Sequence, residues 1–180
     1  MNRYLFDHLL YAGLFWGYYI YRYSKNTNFI FWSLFPLYVG LRFPDIDETW
    51  LWDILINNIV WFISGLPFGH RNPLTHSILP YFILVPLFRK GVARVEKVFP
   101  SINSNHTEIM TAIKGGFLIG LGSHLFVDVA HIIPFFSTFG FWGHEGHGGV
   151  TLIPEAYEDP YLIIMGVLCF IILRRVDRSC

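Results

Sequence analysis

The chain has 180 residues, a formal net charge of zero, and a composition that is 53% hydrophobic, 19% aromatic and only 14% charged. A soluble domain carries about 25% charged residues, so this balance, with a mean hydropathy of +0.43, reads as one integral-membrane domain over residues 1–180. No basic surplus exists to neutralise phosphates, which excludes a nucleic-acid partner, and Cys169 and Cys180 suggest neither a disulfide framework nor a thiolate metal site.

Leu5 to Tyr21 is the first predicted span, rich in Tyr, Phe and Trp and closed by Arg22 and Lys25. Asp7 and His8 lie within its start and no small-x-small cleavage site follows, so it does not read as a cleavable signal peptide. Phe29 to Phe43 is the second apolar run, short for a span of about 20 residues, with Pro36 placed to kink it. It leads into Pro44-Asp45-Ile46-Asp47-Glu48. Trp50 to Leu66 is apolar, yet Asp53, Asn57 and Asn58 put a polar stripe on one helical face. Trp50, Trp52 and Trp61 favour an interface, so this segment is expected to be an interfacial amphipathic helix.

The stretch from Gly69 to Ser77 opens the next predicted span, Leu74 to Phe88, which ends at Arg89 and Lys90. Gly91 to Thr107 reads as a polar loop. Glu108 to Ile133 is predicted as the longest helix, and Gly115, Gly116, Gly120 and Gly122 allow another helix to approach it closely. Pro134 to Pro160 is expected to be a long loop with a tip rich in Gly and His, and Tyr161 to Leu173 the last span, ended by Arg174, Arg175 and Arg178. The fold class expected is all-α: a polytopic transmembrane helix bundle with about five spans plus one interfacial amphipathic helix.

Charge orients the bundle. With the N-terminus outside, Arg22, Lys25, Arg89, Lys90, Arg94, Lys97, Lys114, Arg174, Arg175 and Arg178 fall on the cytoplasmic side, and only Arg3, Arg42 and Arg71 on the other. That asymmetry satisfies the positive-inside rule. It requires that Trp50 to Leu66 does not cross, and it then brings His8, Asp45, Asp47, His70, His76, His124 and Asp128 to the outer leaflet side. The expected location is the inner membrane, multi-pass, with the site on the outer face.

Three polar islands carry the chemistry. Asp45 and Asp47, two apart, could face one cation, or could form a solvated helix-end turn. His70 and His76 flank a turn at Pro73; neutral imidazole is a common ligand for zinc, although capping or hydrogen bonding are the plainer roles, and Thr75 or Ser77 could cap the helix that follows. Arg71 could hold an anion or snorkel to headgroups. His124 and Asp128, four apart, share one helix face: they could ligate a metal together, or Asp128 could orient His124, with a structural hydrogen bond as the alternative. An ionisable pair within an apolar run is costly, which weighs toward function. His8 alone reads as an interfacial polar residue, His106 as structural, and His131, His144 and His147 as loop residues able to add a ligand or close over the site.

Asp7-His8-Leu9-Leu10, Pro44-Asp45-Ile46-Asp47, His70-Arg71 with Thr75-His76-Ser77, and Gly122-Ser123-His124-Leu125 with Asp128 occur in an order that resembles the YdjM-like family, described as membrane-bound metal-dependent hydrolases. The resemblance implies that His8, Asp45, Asp47, His70, His76, His124 and Asp128 correspond to that family's metal-site residues. Glu48 and His131 stand where the family commonly carries other residues, and are candidate substitutes. The motif style is similar to that of zinc-dependent phospholipases C, which implies phosphoester hydrolysis.

The function expected is therefore a membrane-bound hydrolase using a divalent metal, zinc first and manganese as the alternative. Asp45, Asp47 or Asp128 could serve as general base, and Arg71 could stabilise anionic charge. Membrane lipids are the expected surroundings, and a lipid or lipid-linked phosphoester the expected substrate. The competing expectations are a divalent metal or proton transporter, and a structural or regulatory membrane protein.

Overall fold

The apolar runs fold as helices, the local structure in which a hydrophobic segment satisfies its own backbone. The structure, a computed structural model, describes residues 3–23, 27–48, 54, 56, 58–64, 73–98, 106–129 and 157–178. Helices α1 (Arg3–Tyr23) and α2 (Thr27–Arg42) are followed by a 3₁₀ turn (Pro44–Glu48) and then by α3 (Asn58–Ser64), α4 (Leu79–Val98), α5 (His106–Asp128) and α6 (Glu158–Arg178). No strand occurs among the described residues. Pro36 lies inside α2 and Pro86 inside α4.

Helix α5 is the axis of the bundle. Its buried residues run almost without break from Ile109 to Leu125, as expected of a helix apolar on every side. Helices α1, α2, α4 and α6 all pack on it. On the α2 side a glycine seam brings the two backbones together: a methyl group at Gly116 would overlap the Ser33 carbonyl, and one at Gly120 would overlap the Leu37 carbonyl. Gly40 of α2 meets the Phe117 carbonyl in the same way. The spacing of small residues predicted this approach. Tyr19 ties α1 to α5 by donating to the Thr111 carbonyl at 3.2 Å, and the Trp16 indole N–H donates to Ser33 Oγ of α2 at 2.9 Å.

Several boundaries differ from expectation. Residues 73–78 form turns rather than the start of a helix. Ser77 Oγ accepts the Leu79 N–H at 3.0 Å and donates to the Pro73 carbonyl, so the helix is capped there and starts later. At its other end α4 continues past Phe88 to Val98, through much of the predicted loop. Arg89, Lys90, Ala93, Arg94, Glu96 and Lys97 are strong helix formers, and Val92 is buried on the inner face. His106, read as structural, donates from Nδ1 to Glu96 at the end of α4. Helix α6 extends beyond Tyr161–Leu173 in both directions, from Glu158 to Arg178.

Of the predicted interfacial helix, Asn58–Ser64 is helical and exposes Ile59, Trp61, Phe62 and Ile63; Asp53 and Asn57 lie outside the described residues. So does the whole region from residue 130 to 156, including His131, His144 and His147. Among the described residues one helix, α5, is long and apolar enough to cross a membrane.

Candidate metal centre

One end of the bundle gathers polar groups from four separate segments. Helix α5 supplies His124 and Asp128 from successive turns of its last stretch. His8 comes from the beginning of α1. The 3₁₀ turn after α2 supplies Asp45, and the turn before α4 supplies His76. His8, His76, His124 and Asp128 are all buried, the last three at 0, 0 and 2% exposure. Asp45 is partly open, so it stands at the mouth of the cluster.

The side chains converge on one small volume. Asp128 Oδ1 lies 3.4 Å from His8 Nε2, and its Oδ2 lies 3.4 Å from His76 Nε2 and 3.3 Å from His124 Nε2. Asp45 Oδ1 is 3.3 Å from the same His124 nitrogen. The His8 and His124 rings are 4.4 Å apart between centroids, and those of His76 and His124 are 5.6 Å apart. The ligand atoms of His8, His124 and Asp128 all fall within 4.8 Å of one another, and this buried group could hold a metal ion.

Two features test that fit. The first is spacing. Charge-assisted N–H···O contacts close to about 2.7–2.9 Å. Donor atoms around a tetrahedral zinc, with bonds of about 2.0–2.1 Å, stand about 3.3–3.4 Å apart, which matches the separation of each imidazole Nε2 from its carboxylate oxygen; His8, His124 and Asp128 are the three whose ligand atoms lie mutually close enough for one ion. The second is the state of His124. Its Nδ1 lies 2.8 Å from the Leu41 carbonyl, which can only accept, so Nδ1 carries a proton. Its Nε2 is buried and faces carboxylate oxygens of Asp128 and Asp45, each at 3.3 Å, and a carbonyl on the remote nitrogen is how metal-binding histidines are usually oriented. Thr75 Oγ1, 3.0 Å from His76 Nδ1, holds a second ring in the same manner.

The structure thus brings together His8, Asp45, His76, His124 and Asp128 from the seven candidate ligands. Asp47 lies in the 3₁₀ turn, but its side chain, like that of Glu48, is outside the described residues, as are His70 and Arg71 altogether. His106 is excluded by position, at the far end of α5. Sequence reasoning missed three supporting groups. Arg42 Nη1 holds Asp45 Oδ2 at 3.1 Å; their spacing of three residues with opposite charge was the available signal. Thr75 was considered only as a cap. The Leu41 carbonyl leaves no trace in side-chain patterns.

The glycine seam explains how the parts meet. Gly116 and Gly120 precede His124 on one face of α5, and the α2 segment they admit ends at Leu41, whose carbonyl receives the His124 proton. Compared with protein-family models, curated proteins and solved structures, the chain shows no match.

Proposed function

We propose that this chain is a multi-pass membrane hydrolase of the YdjM-like kind, using zinc, or manganese in its place, to cleave a phosphoester or related lipid-like substrate at the membrane interface. The observation that carries this reading is the gathering of three buried histidines, buried Asp128 and the more open Asp45 at one end of the bundle, with His8, His124 and Asp128 close enough together to hold one ion.

The outer surface supports the membrane part. Helix α5 is apolar but mostly enclosed, and a soluble core helix would have the same composition. Around it, however, the outward faces of α1, α2, α4 and α6 carry exposed Leu14, Phe31, Phe35, Phe82, Ile83 and Ile164. Apolar surface of this kind, if contiguous, is costly in water and ordinary against lipid. The five long helices then give the five spans, with α3 at the interface. The His/Asp end of the bundle faces outward, since Arg89, Lys90, Arg174 and Arg175 sit at the opposite end of α4 and α6.

A bound metal would supply Lewis acidity, acidifying a water and polarising a phosphoryl or acyl oxygen. His8, His124 and Asp128 are the ligands in this reading, which leaves a fourth position for water, and His76 stands beside Asp128. Leu41 and Thr75 hold two of the rings in position. Asp45, the more open carboxylate and already oriented by Arg42, is placed to take the proton of the attacking water. Hydrolysis adds the water oxygen to phosphorus or acyl carbon, and the leaving oxygen receives a proton; no oxidant or reductant is involved. A transport pathway would need ionisable groups near mid-bundle, where α5 offers the apolar run Phe117 to Leu121 instead.

The test is the metal content of the detergent-purified protein beside a His124→Ala, Asp128→Ala double variant. About one or two equivalents of zinc or manganese in the wild type, and little in the variant, are expected. A wild type that remains metal-free after reconstitution removes the mechanism. Metal-loaded protein that hydrolyses nothing in a broad phosphoester and lipid screen removes the hydrolase.

A further inference from the structure

A groove of about 590 Å³ opens between α1 and α2 on the outside of the bundle. Leu9, Ala12 and Trp16 of α1 and Leu34, Leu37 and Leu41 of α2 line it. Its volume is that of a small-molecule site. Its wall is almost wholly apolar: the Trp16 indole N–H is already given to Ser33 Oγ, so the ring turns a hydrocarbon face to the groove. Gly13 lies on its floor, and a Cβ there would have no neighbour within 4 Å. A larger side chain at this position would project into the groove.

Position and length indicate an occupant. At one end Leu9 follows the candidate ligand His8, and Leu41 is the residue whose carbonyl holds His124. One end of the groove therefore lies a residue away from the metal centre, although no side chain of the cluster lines it. Along α2 it runs from Phe31 to Leu41, about 15 Å at ~1.5 Å per residue. That is half of the ~30 Å hydrocarbon thickness of a bilayer, the depth of one leaflet. A polar, metal-competent head joined to an apolar channel one leaflet deep is complementary to a lipid in its membrane orientation.

We propose that this groove binds one acyl chain of the substrate and delivers its head group to the His/Asp cluster. The substrate class is then an amphiphile with its cleavable group at the top of a fatty chain; the words "substrate" and "cleavable" rest on the hydrolase reading, and the chain site rests on the membrane reading alone.

The experiment uses the full chain in phosphatidylcholine vesicles containing a trace of phosphatidylcholine with a diazirine on one acyl chain. After irradiation, labelled peptides are mapped by mass spectrometry. Labelling is expected to concentrate on Leu9–Trp16 and Phe31–Leu41. Gly13→Leu should reduce it on the order of tenfold by filling the channel. Gly17→Leu is the control: the same bulk is added one turn along, outside the groove, where a Cβ also meets nothing. It should label as the wild type does. Labelling spread evenly over Leu14, Phe82 and Ile164, and indifferent to Gly13→Leu, would overturn the proposal. Turnover of esters of graded chain length separates the two readings. Groove labelling without any cleavage sinks the hydrolase and keeps the chain site. Cleavage in which Gly13→Leu treats long and short chains alike sinks the chain site and keeps the hydrolase.

Discussion

Gly120→Ala tests whether the glycine seam, one turn before His124 and contributing no ligand itself, sets the geometry of the metal centre. A methyl group at Gly120 would lie 2.8 Å from the Leu41 nitrogen and closer still to the Leu37 carbonyl. Both are backbone atoms and cannot rotate away. Restoring ordinary carbon contact distances requires α2 and α5 to part by roughly 1 Å. The bond from His124 Nδ1 to the Leu41 carbonyl, 2.8 Å in the native bundle, would stretch past the useful range for a hydrogen bond. Overpacking costs about 1–3 kcal/mol, and leaving a buried polar group unsatisfied adds about 1–3 kcal/mol. The expected destabilisation is therefore about 2–6 kcal/mol, with a loss of about 10–100-fold in metal affinity, as for a removed orienting partner. Thermal unfolding in detergent reads the first quantity and a competition titration against a fluorescent zinc chelator reads the second. Gly13→Ala and Gly17→Ala, whose new methyl groups meet nothing, should be neutral or stabilising by up to about 1 kcal/mol. A Gly120→Ala protein with wild-type zinc affinity would refute the reasoning, because the seam would then have no hold on His124.

Thr75→Val removes the oxygen beside His76 Nδ1 while keeping the side-chain shape. Metal affinity should fall about 10–100-fold, and an unchanged chelator titration would take Thr75 out of the site. Arg42→Gln loosens Asp45. Because Arg42 is half exposed, stability should change by less than about 1 kcal/mol, while turnover falls and metal content holds; parallel loss of metal and turnover would make Asp45 a ligand instead of a base. Metal removal should lower the melting temperature, since zinc at a hundred times its Kd contributes about 2.7 kcal/mol. A melting temperature indifferent to both EDTA and zinc speaks against a metal site. His106→Ala, at the opposite end of α5, should leave metal content untouched.

Much of the site was legible because it depends on local rules. The pair His124 and Asp128 follows from helical periodicity, and the glycines of α5 announced a close neighbour. Convergence of His8, Asp45, His76, His124 and Asp128 at one end followed from charge asymmetry and the alternation of helices. The start and extent of α4 were less legible. A hydropathy reading ends a helix where charge begins, whereas Arg89 to Lys97 continue it by propensity and by burying Val92. The turn that inserts His76 rests on Ser77 bonding back to Pro73, a choice between two hydroxyls that spacing alone leaves open.

By itself the sequence determined the helical class, the order of the long helices, the residue types able to hold a metal and the small-residue face that permits close packing. Each of these is written in periodicity, composition or charge within a short stretch of chain. Only the tertiary structure decided that the Leu41 carbonyl orients His124, that Asp128 faces three imidazoles while Asp45 stays partly open, and that an apolar groove lined by Gly13 opens between α1 and α2. These depend on how far apart two helices stand and how they are rotated. Such quantities are set by backbone contact between segments distant in sequence, here Leu41 and His124 across the glycine seam.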